Sequence, residues 1–173
     1  LKVVLKDSKL TADLAEMQLY EGSGKGRIVV DGSSGKPAIA ADFDLANLQA
    51  GPFLNDLAKF DRILGTAESK ISVKATGRSQ QELVSSLNGA GSVVFRDGAI
   101  KGINLAAMMR NISVAAIEQS FDDAQATDFA ELSGTFKIDK GIVRNDDLSL
   151  IGPLVRVTGA GEVPLPPRTI DSV

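Results

Sequence analysis

A chain of 173 residues is long enough for one domain with a real core, and 43% hydrophobic residues at a mean hydropathy of +0.06 exclude both a disordered chain and one made of membrane spans. Nineteen basic residues interspersed among 22 acidic ones leave no electrostatic footprint for nucleic acid, and one Tyr without any Trp offers few platforms for stacking bases. Having no His and no Cys, the chain lacks the commonest general base and metal ligand, the thiolate nucleophile and any disulfide.

Residues 1–5 form a short β-branched run that reads as a strand. From Leu10 to Leu14 the apolar residues fall on even positions and then, at Met17 and Leu19, on odd ones, which predicts a bulge or break near Ala15. The glycine-rich residues 22–26 (G-S-G-K-G) predict a mobile hairpin tip before a strand from Arg27. A phosphate loop is excluded there, because Gly follows the lysine where Ser or Thr is needed and a strand follows where a helix should start. Ile39, Ala41, Phe43 and Leu45 alternate with polar or small residues as in a half-buried strand, and Pro52 suits the first position of a short helix carrying Phe53, Leu57 and Phe60.

Ile71, Val73 and Ala75 alternate with Lys70, Ser72, Lys74 and Thr76, giving another strand from about Gly65. Ser79 and Glu82 have the spacing of a capping box, with Asn88-Gly89 expected to close the helix. Residues 92–95 read as a buried strand, and Asp97-Gly98 predicts a turn with Gly98 at positive φ. Asn104 is placed to cap a helix from Leu105, with Ile103 and Met108 at the spacing of a hydrophobic staple. Leu105, Met108, Met109, Ile112 and Ala116 make an apolar stripe at helical period, a core face or an adaptable lipid-facing one. Beyond the acidic Asp122 and Asp123 the chain reads as β: Ala130, Leu132, Phe136 and Ile138 share one parity, Asp139-Lys140-Gly141 turns, Gly152-Pro153 turns again, and Val155 and Val157 face away from Arg156 and Thr158. Pro164, Pro166 and Pro167 demote the tail to an edge or linker. Tight turns, three short helices and a terminal meander predict an α+β, mainly β fold on an antiparallel sheet.

Catalysis has little to work with. The adjacent carboxylates Asp146 and Asp147 point to opposite faces of a strand, and neither a G-x-S-x-G nor an S-x-x-K pattern nor a calcium loop is present. The expectation is no enzyme, no cofactor and no metal.

Several motifs, taken in order, resemble the AsmA family of bacterial envelope proteins. They are L-Y-E-G at residues 19–22, Gly89 and Gly91 flanking a strand, D-G-A-I at residues 97–100, G-I-N-L-A at residues 102–106, and G-x-G-x-V-x-L at residues 159–165. The resemblance implies a periplasmic protein anchored in the inner membrane, implicated in outer-membrane biogenesis, whose curved sheets form a hydrophobic groove for phospholipids moving between membranes. It also implies that residues 1–173, read as one domain, are a C-terminal fragment of a longer, membrane-anchored protein.

Three short helices are few for some eight strands, so an apolar sheet face is expected to curl into a groove. Ile71, Val73, Val93, Phe95, Phe136, Ile138, Val155 and Val157 are the candidate lining residues, and phospholipid or another acyl chain is the candidate partner. The alternative is a structural, partner-binding periplasmic module with a fully closed core and exposed edge strands.

Overall fold

The computed structural model describes residues 1–110 and 123–165. Ile112, Ala116, Asp122, Pro166 and Pro167 lie outside the described residues. Among those described, the strands are Lys2–Lys6 (β1), Lys9–Leu19 (β2), Gly22–Asp31 (β3), Ala38–Gln49 (β4), Thr66–Thr76 (β5), Asn88–Lys101 (β6), Ala126–Asp139 (β7), Ile142–Ile151 (β8) and Arg156–Pro164 (β9). Three short helices interrupt them: Ala50–Ala58 (α1), Gln80–Ser85 (α2) and Leu105–Arg110 (α3). The strands form one antiparallel sheet in the order of the chain, somewhat curled and not closed. The expected mainly β fold is therefore what forms.

Residues directly opposite one another across paired strands share a face, and successive residues alternate. Followed across the sheet, the register puts Val3, Ala12, Ile28, Ala41, Val73, Gly89, Ile138, Val143 and Val163 in one row. The row beside it on the same face holds Leu14, Gly26, Phe43, Ile71, Gly91 and Phe136. The interleaved row on the other face reads Lys2, Asp13, Arg27, Asp42, Ser72, Ala90, Lys137, Arg144 and Glu162. One face is thus apolar across the sheet while its reverse is mostly polar, the division that burial on a single side demands.

One-residue irregularities keep that division as the strands bend. The register of β2 shifts between Leu14 and Met17, as the change of parity predicts, that of β4 between Leu45 and Leu48, and that of β8 between Asn145 and Leu148. Each returns apolar side chains to the same face after the bend.

Two turn predictions are corrected. Residues 22–26 are not a hairpin tip but the first half of β3, and the turn is made by Tyr20 and Glu21 at φ 48 and 62. Glycine is needed inside the strand instead, because a Cβ on Gly26 would stand 2.5 Å from the Phe43 ring. Likewise Asp97-Gly98 does not turn the chain. β6 runs through it, and Asp97 rather than Gly98 takes the positive φ, at 50. Arg96 pairs Thr66 while Ile100 pairs Ile63, so Asp97 is one extra residue on the side facing β5. Gly98 is required by close approach, since a Cβ there would lie 2.0 Å from the Leu64 carbonyl oxygen.

Smaller corrections follow from tertiary contacts. The parity expected for β7 fails at Ala130, which is exposed while Phe129 is buried, because the strand changes phase opposite Asp97. Asn88 and Gly89 open β6 instead of closing α2, which ends at Ser85. Pro52 is the third residue of α1, whose start is drawn back by the bond from the Ala50 N–H to the Gly65 carbonyl. The two predicted caps do form. The Ser79 side chain accepts from the Glu82 N–H at 3.1 Å, and the Asn104 side chain accepts from the Ala107 N–H at 2.9 Å.

Candidate functional site: an apolar depression on the sheet

The apolar face is covered at both ends of the strands and less so between them. At one end α1, α3 and the segment before β5 bring Phe53, Leu54, Ile63, Leu105 and Ala106 onto a core of Leu45, Leu48, Ala50, Ala67, Phe95, Phe129, Leu132, Leu150 and Val155. At the other end Leu83, Val84 and Leu87, on and just after α2, lie over Ile39, Ala41 and Val73 around a small cavity of about 220 Å³.

Between these ends lies a depression of about 700 Å³ crossing β2 to β6, within the size range of small-molecule and cofactor sites. Its floor is the row Leu14, Gly26, Phe43, Ile71 and Gly91. Two of these positions have no side chain, and each is overlaid by a phenyl ring from the next strand. The position a Gly91 Cβ would take is 2.5 Å from the Phe136 ring, as with Gly26 and Phe43. Leu14, Phe43, Ile71 and Phe136 remain half-buried. They are apolar side chains with room above them.

The charges adjoining this row belong to the reverse face, where they pair with one another. Arg27 donates to Asp13, which together with the nearby charge raises the pKa of its guanidinium, and Lys25 and Lys70 lie 3.6 and 4.0 Å from Asp44. Such a surface offers van der Waals contact and exclusion of water to a hydrocarbon chain, with no group on its floor to move a proton. Among the described residues no cluster of three His, Cys, Asp or Glu is placed to hold a metal ion.

The candidate lining residues divide between the regions. Ile71 lines the depression, Phe136 stands beside it over Gly91, and Val73 and Ile138 belong to the next row toward α2. Val93 packs against the core, and Phe95 is inside it at 5% exposure. Val157 lies opposite Leu150 and is 37% exposed. Val155 does not share its strand position. It precedes β9 in a turn closed by the Gly152 N–H on its own carbonyl, and is 5% exposed in the core. Sequence reasoning missed Leu14, Phe43, Gly26 and Gly91 as lining residues. Their signal was glycine at a spacing of two in what proves to be strand, a pattern that removes side chains from one face only.

Among known families, the model of the AsmA family matches residues 1–148. No curated protein and no solved structure matches the chain.

Proposed function

Because the chain belongs to the AsmA family, we propose that it is a non-enzymatic segment of an envelope protein whose open apolar sheet face serves as a groove for the acyl chains of phospholipids passing between the bacterial membranes. Family membership carries a general association with the envelope and with lipid transport. The finer reading rests on one observation, the 700 Å³ depression whose floor is apolar in every strand it crosses. In this reading the protein works in the periplasm, is held to the inner membrane by a segment outside residues 1–173, and contributes to outer-membrane biogenesis.

The test is native mass spectrometry of the purified chain, joined to photo-crosslinking from Ile71 and Phe136, with Lys74 and Arg156 as polar-face controls. Co-purified phospholipid and adducts at Ile71 and Phe136 alone are expected. Equal labelling at both sets, or none in a folded protein, would favour the second reading, a partner-binding module. The buried cluster around Phe95, Leu132 and Leu150 is the observation that favours that reading.

A further inference from the structure

α2 covers the apolar face without filling the space beneath it. The helix has no buried residue, and Leu83, Val84 and Leu87 stay half-buried above Ile39, Ala41 and Val73, with the cavity of about 220 Å³ between the two layers. An unfilled apolar space is normally closed by packing, since interiors reach the density of organic crystals. Here both ends of the segment are held by polar bonds that fix its height above the sheet. On one side the Gly77 N–H donates to the Pro37 carbonyl at 3.0 Å, Arg78 donates to the Gly35 carbonyl, and Lys36 lies 3.6 Å from Glu82. On the other the Ser86 hydroxyl exchanges hydrogen bonds with the Thr76 backbone at 2.8 and 2.7 Å, and the Leu87 carbonyl accepts from the Gly141 N–H at 3.0 Å. The floor is low as well, because alanine occupies two of its positions, Ala41 and Ala75.

Such a cavity selects its occupant by chemistry. Among its described lining residues only Lys74 and Gln80 are polar, and alternation sends the Lys74 side chain to the reverse face. An apolar cavity of about 150 Å³ takes the six carbons of benzene, so this one has room for roughly six to nine. The depression adjoins it, for Ala41 and Val73 lie two residues along β4 and β5 from Phe43 and Ile71, on the same face. That step is about 7 Å, short enough for one hydrocarbon chain to occupy both. A polar headgroup has little to bond beneath α2, so the end that enters is the apolar one.

We propose that the cavity beneath α2 is a terminal pocket that receives the methyl end of an acyl chain whose middle lies on Phe43 and Ile71, a placement that rests on the proposed groove. The probe is stearate carrying carbon-13 either at its terminal methyl or at carbon 9, with its contacts to the protein read by isotope-filtered NOE spectroscopy. The terminal methyl should contact Leu83, Val84 and Leu87, and carbon 9 should contact Phe43 and Ile71. Carbon-9 contacts at Ile71 with no terminal-methyl contact at α2 would overturn the pocket and leave the groove standing. No contact from either carbon would overturn both. Ala41→Leu, which fills the cavity from the sheet side, should abolish the terminal-methyl contacts and weaken stearate binding about tenfold, the weight of roughly two methylenes returned to water, while the carbon-9 contact at Ile71 remains. Undiminished terminal-methyl contacts in that variant would overturn the proposal, and the contacts in the unsubstituted protein decide it if the variant does not fold.

Discussion

Two stretches of the same apolar face have opposite fates. Around Phe95, Leu132 and Leu150, on β6, β7 and β8, the face is sealed under α1, α3 and the segment before β5, whereas around Leu14, Phe43 and Ile71, on β2, β4 and β5, strands with the same alternation stay half-open. Alternation therefore specifies which side of a strand is apolar and leaves undecided whether that side is covered. Cover comes from chain that is not in the sheet at all.

The sharpest way to break this comparison is truncation on each side of it. Phe95→Ala should cost about 3–5 kcal/mol as a buried aromatic leaving a cavity, while Ile71→Ala should cost about 1 kcal/mol or less because its side chain is only partly removed from water. Denaturant unfolding of both variants measures the difference, and equal losses would mean that the depression is as closed as the core. Photo-crosslinking carries the same contrast, since Phe95, at 5% exposure, should give no lipid adduct where Ile71 does.

The next effect concerns how the closed end is held. Gly98→Val should destabilise by about 2 kcal/mol, through overpacking against the Leu64 carbonyl and the Phe129 ring. A control at Gly161, where a Cβ meets nothing within 4 Å, should change the unfolding midpoint little. A similar loss at both positions would rule out close approach as the cause at Gly98, since the loss of glycine's freedom in the unfolded chain acts in the stabilising direction.

The smallest effect is pH-dependent and falls on β7 and β8 beside Phe136. Asp147 accepts from the Thr135 N–H at 2.7 Å, from the Thr135 hydroxyl and from Asn145, and these bonds hold its pKa below the usual carboxylate value. Asp31, bound by the Ser33 hydroxyl, and Glu82, bound by the Arg78 N–H, are lowered as well. A carboxyl with a lowered folded pKa contributes stability that is complete above its unfolded value near 4 and is lost as pH falls through the folded value. Between pH 4 and 2, amide exchange in β7 and β8 beside Phe136 should quicken before exchange around Phe95 does. Asp147→Asn should flatten that pH response.

What could be read from the residues was what local chemistry decides. Ser79 and Asn104 cap their helices because the capping bond spans only three residues, and Ile71, Val73, Val93 and Phe95 share a face because alternation is a property of the strand itself. The errors at residues 22–26 and at Asp97-Gly98 have a common origin, for glycine serves both a turn and a close approach, and only the partner tells which. At Tyr20 and Glu21 the partners are distant. The Gln49 N–H donates to the Tyr20 carbonyl, the Tyr20 hydroxyl donates to Asp56 at 2.8 Å, and the Gln49 side chain donates to Glu21, which together hold two ordinary residues at positive φ. The depression was legible as an apolar face and illegible as a place, since its position depends on which stretches of that face the helices and the segment before β5 cover.

The strict succession from β1 to β9 has a kinetic consequence. Every ladder joins strands that are successive in the chain, so most pairings close short loops, the connections through residues 50–65 and 102–125 being the long ones, and none needs a strand from further away. Such a sheet can grow one hairpin at a time as the chain emerges from a pore, each new strand templated by the one before it. The same succession makes length an adjustable quantity, because a hairpin can be inserted or removed without rethreading the remainder.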